Sequence, residues 1–226
     1  MMTVPALATS VLNGSFEDIG TQTASFSIGL DAALPNWSES PAPTGNHILD
    51  CLITAGATTN LCGTTAFGGG LTFWAFPGPS PDGGNYVAVD GAAAYSNALN
   101  QTLTGLVAGQ RYAVTFYQAA AQQSGFTGAN TEQWQVSLGG GTSVLSTLMN
   151  NASMGDVPWM SQSLTLTAGA TQVLSFVAKG TPSGQPPFVL LDGVSIRAVP
   201  EPDTLALIGL ALVGIPVLHR LRRRRG

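Results

Sequence analysis

From Gly105 to Arg197 the chain repeatedly sets side chains at every second position to one character, then breaks the run with glycine. Tyr112, Val114 and Phe116 alternate in one run and Trp134, Val136 and Leu138 in the next; Leu164 with Leu166, then Val173, Ser175 and Val177, follow. Val189, Leu191, Val194 and Ile196 form a last strand, where the Asp192-Gly193 step shifts the alternation and predicts a bulge. Gly105 with Gly109, Gly139-Gly140-Gly141, Ala168-Gly169 and Ser183-Gly184 supply the turns between runs. A period of two puts one face of each strand on a core. Short strands at this spacing therefore predict an all-β sandwich or jelly roll rather than βαβ units. Residues 54–84, dense in Gly, Thr and Pro, read as long surface loops, and no repeat of 20–50 residues is visible.

Composition agrees, because charged residues make up only 9 % of the 226, too few for helices laced by ion pairs. Charge is unevenly spread. Up to Val199, Arg111, Lys179 and Arg197 stand against ten carboxylates, leaving −7; beyond it five arginines face Glu201 and Asp203, leaving +3. An acidic body with three scattered cations has no footprint for phosphate backbones, so nucleic acid is not an expected partner. Cys51 and Cys62 lie eleven positions apart, which fits neither a CxxC redox motif nor a zinc cluster. In an exported chain a disulfide between them is the natural reading, worth ~2–3 kcal/mol in the chain-entropy model. Two buried thiols are the alternative.

Both ends point to export. Within residues 1–10, Ala6-Leu7-Ala8 looks like the cleavage end of a secretory signal whose basic and apolar regions are expected upstream of Met1. Residues 199–226 have three parts: Val199-Pro200-Glu201-Pro202, an apolar run from Thr204 to Leu218, and a basic terminus with Arg220, Arg222, Arg223, Arg224 and Arg225. The apolar run carries nine Leu, Ile or Val, so a single short transmembrane helix is expected, interrupted by Gly209, Gly214 and Pro216. The arginines mark its cytoplasmic boundary, leaving the body outside. The two prolines hold the junction extended, a backbone that a protease reads readily.

This order of motif, apolar run and arginines resembles the PEP-CTERM sorting domain, with Pro200-Glu201-Pro202 as its signature. The resemblance implies a Gram-negative bacterium that makes extracellular polysaccharide. It also implies an exosortase that recognises and removes the tail of an inner-membrane-anchored precursor, leaving the body at the cell surface or in the extracellular matrix. An ordinary anchor helix is the plainer alternative.

The body, residues 11–198, is read as one domain. Asn13-Gly14-Ser15-Phe16-Glu17 resembles the opening strand of galactose-binding-like carbohydrate-binding modules. The run from Pro81 to Gly91, with Asn100-Gln101-Thr102-Leu103 and Gly109-Gln110-Arg111-Tyr112, is similar to their middle strands, and Leu191-Asp192-Gly193-Val194-Ser195 to their closing strand. The resemblance implies a jelly roll, and a structural calcium ion between Glu17 and Asp192 with an oxygen from Asn13 or Gly14. Glu17 capping a turn and Asp192 bonding nearby N–H groups is the alternative. A module that binds extracellular polysaccharide presents exposed aromatic faces. Trp74, within Phe73-Trp74-Ala75-Phe76, is the expected platform, with Tyr95 and Phe126 as further candidates; Trp37, Trp134 and Trp159 read as core.

Catalysis is not expected. His47 is the single histidine before the tail, and neither GxSxG nor HExxH occurs. Asp82 with Asp90, or Asp31 with Glu39, are the pairs a glycosidase would need, and surface turns explain them more simply. A structural matrix protein without a specific ligand stays open beside the glycan-binding reading.

Overall fold

The computed structural model describes residues 9–19, 34–40, 50–53, 61–62, 71–95 and 98–200, with the backbone alone at 50–53, 61–62 and 71. The cysteine pair's side chains, His47, Asp31 and everything beyond Pro200 lie outside the described residues, as do residues 1–8. The described strands are β1 (Ser38–Glu39), β2 (Asp50–Ile53), β3 (Leu61–Cys62), β4 (Leu71–Thr72), β5 (Tyr86–Asp90), β6 (Ala98–Thr102) and β7 (Arg111–Gln122). They continue with β8 (Asn130–Leu138), β9 (Val144–Leu145), β10 (Met149–Asn151), β11 (Asp156–Thr167), β12 (Val173–Thr181) and β13 (Pro187–Ala198). No helix occurs among the described residues. One sheet runs β1-β6-β12-β8-β10 with β9 also on β8, the other β11-β7-β13-β5-β2, and β3 pairs β4 apart from both. Every pairing is antiparallel, which is the predicted sandwich.

The core lies between the two sheets and is centred on Phe176. Its ring meets Phe116 and Trp134 edge-on, at centroid distances of 5.2 and 5.8 Å, and Trp37 at 6.4 Å. Edge-to-face pairs put the positive rim of one ring on the negative face of the next. Trp134 Nε1 crosses to the other sheet and donates to the Leu190 carbonyl at 3.0 Å, so the buried indole loses no hydrogen bond. On β12 the buried positions are Leu174, Phe176 and Ala178, opposite to the face expected from Val173, Ser175 and Val177. The large ring decides the register, because facing Phe176 to water would sacrifice the centre of the core.

In the sheet containing β13, β5 and the first half of β13 are buried on both faces. All five residues of β5 and the first six of β13 are buried. On the outer face, Phe73, Tyr86, Ala88, Ala119, Ala121, Phe188 and Leu190 form a second cluster, with Phe76 and Trp159 packed on it. Phe73 meets Phe188 at 5.0 Å, and Tyr86 meets Trp159 at 4.9 Å. The segment following β4 is therefore a lid over the sheet, which corrects the expected surface loop: Phe73 is fully buried and bridges Gln123. Three alanines leave the room that its rings fill.

Two further expectations change locally. Asn13 to Phe16 is a turn rather than an opening strand, with φ of 48° at Asn13 and 55° at Phe16, and Phe16 is fully buried against Trp37 at 5.3 Å. Gly14 fits because a Cβ there would meet the Val194 carbonyl oxygen at 2.1 Å. The predicted bulge is present, as the β13–β7 register shifts between Asp192 and Ser195 around Gly193 at φ 59°. Trp159 is half-buried in the outer cluster rather than in the main core.

Candidate functional site

Strand ends gather at one pole of the sandwich. Phe188 pairs Asp90, Pro187 pairs Gln122, Thr181 pairs Thr131 and Asn151 pairs Asn130, so the loops that follow or precede these residues emerge together. Gly91 ties the sheets there, donating to the Pro187 carbonyl at 2.7 Å and accepting from Gly180 N–H at 2.8 Å. Trp74, Tyr95 and Phe126 all stand on loops of this pole. Trp74 and Phe126 also touch: the indole Nε1 donates to the Phe126 carbonyl at 2.6 Å, while Trp74 N–H donates to the Gln122 carbonyl at 3.0 Å. Despite these two anchors, Trp74 is 42 % exposed and Phe126 39 %. Tyr95 is half-buried on the turn closed by its N–H to the Ala92 carbonyl at 2.9 Å. A fixed aromatic with free surface can stack on an apolar sugar face without ordering itself first.

Asp90 ends β5 at this pole, and Asp82 lies before the other end of the strand. About 13 Å of extended chain separates Tyr86 from Asp90, more than the spacing of ~5–9.5 Å between paired glycosidase carboxyls. Asp90 is fully buried, with Oδ1 capping the Ala92 N–H at 2.8 Å; burial raises its pKa to about 6 against that bond.

A separate acidic cluster forms around the bulge. Glu17 Oε1 accepts the Asn85 N–H at 2.8 Å, and its carboxylate presses on Gly84 where a Cβ would clash. Asp82 packs against Gly193, and both Glu17 and Asp82 act electrostatically on Asp192. Asp192 is fully buried; its Oδ1 accepts the Gly193 N–H at 2.7 Å, while Oδ2 receives no hydrogen bond. Burial above all, then Asp82 and Glu17, push Asp192 up to about 7. The Ser80 hydroxyl and the Gly193 N–H pull the other way, although the hydroxyl does not complete a hydrogen bond to Oδ2. Asn13 is spent on the frame: its Oδ1 accepts Asp18 N–H at 2.9 Å and its carbonyl accepts Trp37 Nε1 at 2.9 Å. The Gly14 carbonyl accepts Val194 N–H at 2.9 Å. An unpartnered buried carboxylate oxygen facing two like charges fits a cation. Yet among the described residues no three His, Cys, Asp or Glu side chains close into a metal-binding group, so carbonyl or water oxygens would have to complete the shell.

Sequence reasoning missed Asp82 as a neighbour of Asp192. It also missed the buried polar residues Asn130, Glu132 and Asn151 at the loop pole. Extending the Leu138, Val136, Trp134 alternation two steps back puts Glu132 and Asn130 on the core face, a signal already present in the sequence.

The sorting motif follows the fold without a spacer. β13 ends at Ala198, Val199 N–H still donates to the Arg111 carbonyl at 2.9 Å, and Pro200 comes next. Glu201, Pro202, the apolar run and the arginine cluster lie outside the described residues. Among those described, no helix is long and apolar enough to cross a membrane.

No curated protein sequence matches the chain. Among solved structures it is similar to the α-L-arabinofuranosidase MgGH51 (15 % identity, TM-score 0.43, 84 % of this chain and 26 % of that one). It is also similar to the module TmCBM61 in complex with beta-1,4-galactotriose (14 %, 0.39, 73 % and 90 %). A third is the CBM22-2 xylan-binding domain from Paenibacillus barcinonensis Xyn10C (14 %, 0.37, 82 % and 98 %). The chain spans about a fifth of the tailspike domain of bacteriophage CBA120 that it matches and about a quarter of the arabinofuranosidase. The family model of the PEP-CTERM protein-sorting motif matches residues 198–225. This protein is thus an all-β sandwich that carries a PEP-CTERM sorting motif immediately after its last strand.

Proposed function

We propose that the chain is an exported, non-catalytic glycan-binding protein of a Gram-negative cell surface, bound through the Trp74 pole and sorted through its tail. The tail's apolar run, Thr204 to Leu218, holds the precursor in the inner membrane with Arg220 and Arg222 to Arg225 on the cytoplasmic side. An exosortase then cuts near Pro200-Glu201-Pro202 and releases the body to the surface or matrix. The observation that carries the binding reading is Trp74: hydrogen-bonded at both its backbone N–H and its indole, and still 42 % exposed beside Phe126. A body at −7 up to Val199 repels polyanions, which favours neutral polysaccharide.

A glycan array and affinity electrophoresis in neutral polysaccharide gels test this. Retardation by at least one neutral glycan that Trp74→Ala abolishes, with unchanged melting, supports the reading. Absence of retardation in the unaltered chain favours the ligand-free matrix protein, and new reducing ends would return the hydrolase. For sorting, removing residues 198–225 should leave the protein soluble outside the inner membrane; unchanged fractionation overturns the role of the tail. A calcium ion at Glu17 and Asp192, helped by Asp82, belongs to the same reading. It predicts a melting temperature that rises with calcium, falls with chelator, and responds less in Asp192→Asn.

A further inference from the structure

The core-facing side of β8 changes character along its length. Leu138, Val136 and Trp134 are apolar and fully buried; Glu132 and Asn130, next on the same face, are buried as deeply. Glu132 is flanked by Gly180 on β12 and Met149 on β10, and Asn130 stands opposite Asn151. These side chains are not paired off. Both Glu132 oxygens, Asn130 Oδ1 and Asn151 Oδ1 have no hydrogen-bond partner, and neither has Gln118 Oε1 from the facing sheet. Gln118 points toward the same region, since its Nε2 donates to the Thr147 carbonyl at 2.8 Å, two residues before Met149. Against five orphan oxygens there is one orphan donor in this group, Asn151 Nδ2.

No cation of the chain serves them among the described residues. Lys179 pairs Gln133 and so takes the opposite face of the sheet, while Arg111 and Arg197 lie at the other ends of β7 and β13. Burial lifts the Glu132 carboxyl to about 8; the Asn151 side chain, close enough to pull the other way, does not complete a hydrogen bond to it. An open pocket of about 390 Å³, lined by Asn130, Thr131, Asn150, Asn151, Thr181 and Pro182, lies beside the Asn130–Asn151 end of the cluster. Oxygen-only donors, one carboxylate and several amides, are what a hard cation selects; a thiophilic metal finds nothing here.

We propose that Glu132, with the amide oxygens of Asn130 and Asn151, forms a calcium site distinct from the Glu17–Asp192 cluster. Glu132 supplies the charge, and calcium takes the place of the proton that burial otherwise holds there. The ion would clamp edge strand β10 to β8. Through the Asn130 Nδ2 bond to the Gln185 carbonyl, 3.0 Å, it would also brace the loop between β12 and β13 at the Trp74 pole.

The test uses the full chain carrying Asp192→Asn, so that the bulge cluster is disabled, and terbium as the probe. Trp134 lies two residues from Glu132 on the same face, ~7 Å along the strand, close enough to sensitise terbium emission. The expected result is tryptophan-sensitised emission that calcium displaces and that Glu132→Gln removes, together with a calcium-dependent rise in melting temperature lost in the same variant. Glu132→Gln keeps size and hydrogen-bonding capacity, and its melting without calcium should be no lower than that of the parent. Emission that persists in Glu132→Gln, or none in the parent, overturns the proposal; displacement by sodium as effective as by calcium overturns the assignment to calcium. Should Asp192→Asn fail to fold, ion stoichiometry by calorimetry in the otherwise unaltered chain decides: Glu132→Gln must lose one bound calcium, and an unchanged count defeats the site.

Discussion

The two sheets of this sandwich solve burial differently. In the β8 sheet each strand keeps one face wet, and β8 alternates strictly between buried and half-buried residues. In the β13 sheet the middle strands are covered twice, by the main core and by the aromatic lid that follows β4. Double cover erases alternation and asks for small residues under the lid, which Ala88, Ala119 and Ala121 provide. It also decides where charge can sit. The singly covered sheet holds Glu132 among amides, whereas the doubly covered sheet takes its buried carboxyls where the ladder opens or ends, Asp192 at the bulge and Asp90 at the end of β5.

Five measurements sharpen or break that contrast. The largest effect is expected from Phe176→Ala, at about 3–5 kcal/mol in urea unfolding, because it empties the centre of the main core. Phe73→Ala should approach the lower end of that range if the lid is a second core; a loss under about 1 kcal/mol would reduce it to a surface flap. Next comes pH. Glu132 and Asp192 both titrate higher in the folded state, so the folded chain keeps protons that the unfolded chain has released. With chelator present, stability should therefore fall as pH rises from the ordinary carboxylate range toward about 7 for Asp192 and about 8 for Glu132. The limiting slope is ~1.4 kcal/mol per pH unit for each group. Glu132→Gln and Asp192→Asn should each flatten part of it, and a profile unchanged by both would contradict the burial of these carboxyls.

Gly193→Ala follows, at roughly 1–2 kcal/mol, since φ is 59° and the new Cβ would meet Tyr117 at 2.9 Å and Asp82 at 3.1 Å. The same change placed at Gly109, where φ is also positive but nothing lies within 4 Å, should cost only the backbone part. Trp74→Ala is expected to move stability least, within about 1 kcal/mol, because the ring is largely outside the lid cluster.

The contrast also explains what was legible in the sequence. β7, β8 and β11 announced themselves through alternation, and the Asp192-Gly193 bulge through its interruption, because one face of each run is apolar enough to stand out. Tyr86 to Asp90 alternates nothing, and the lid hides its aromatics among Gly and Pro. On β12, Val173 and Val177 imitate an inward face, and only the placement of Phe176 reveals the true one. Trp74 was legible as an exposed loop aromatic because it stands in a stretch rich in Gly and Pro. The meeting of Asp82 with Asp192 depends on β5 lying beside β13, a pairing between distant segments that no local pattern encodes.

β13 begins beside Trp74's loops and ends where the sorting motif begins. Twelve extended residues, ~40 Å, make it a mast rather than a mere ladder rung. It therefore sets the aromatic pole and the start of the sorting motif at opposite ends of the sandwich. Because Val199 is still bonded to Arg111, a processing enzyme working at Pro200-Glu201-Pro202 meets the foot of the mast at once. On the sorting proposed above, the firmness of that last rung would set how readily the tether is severed.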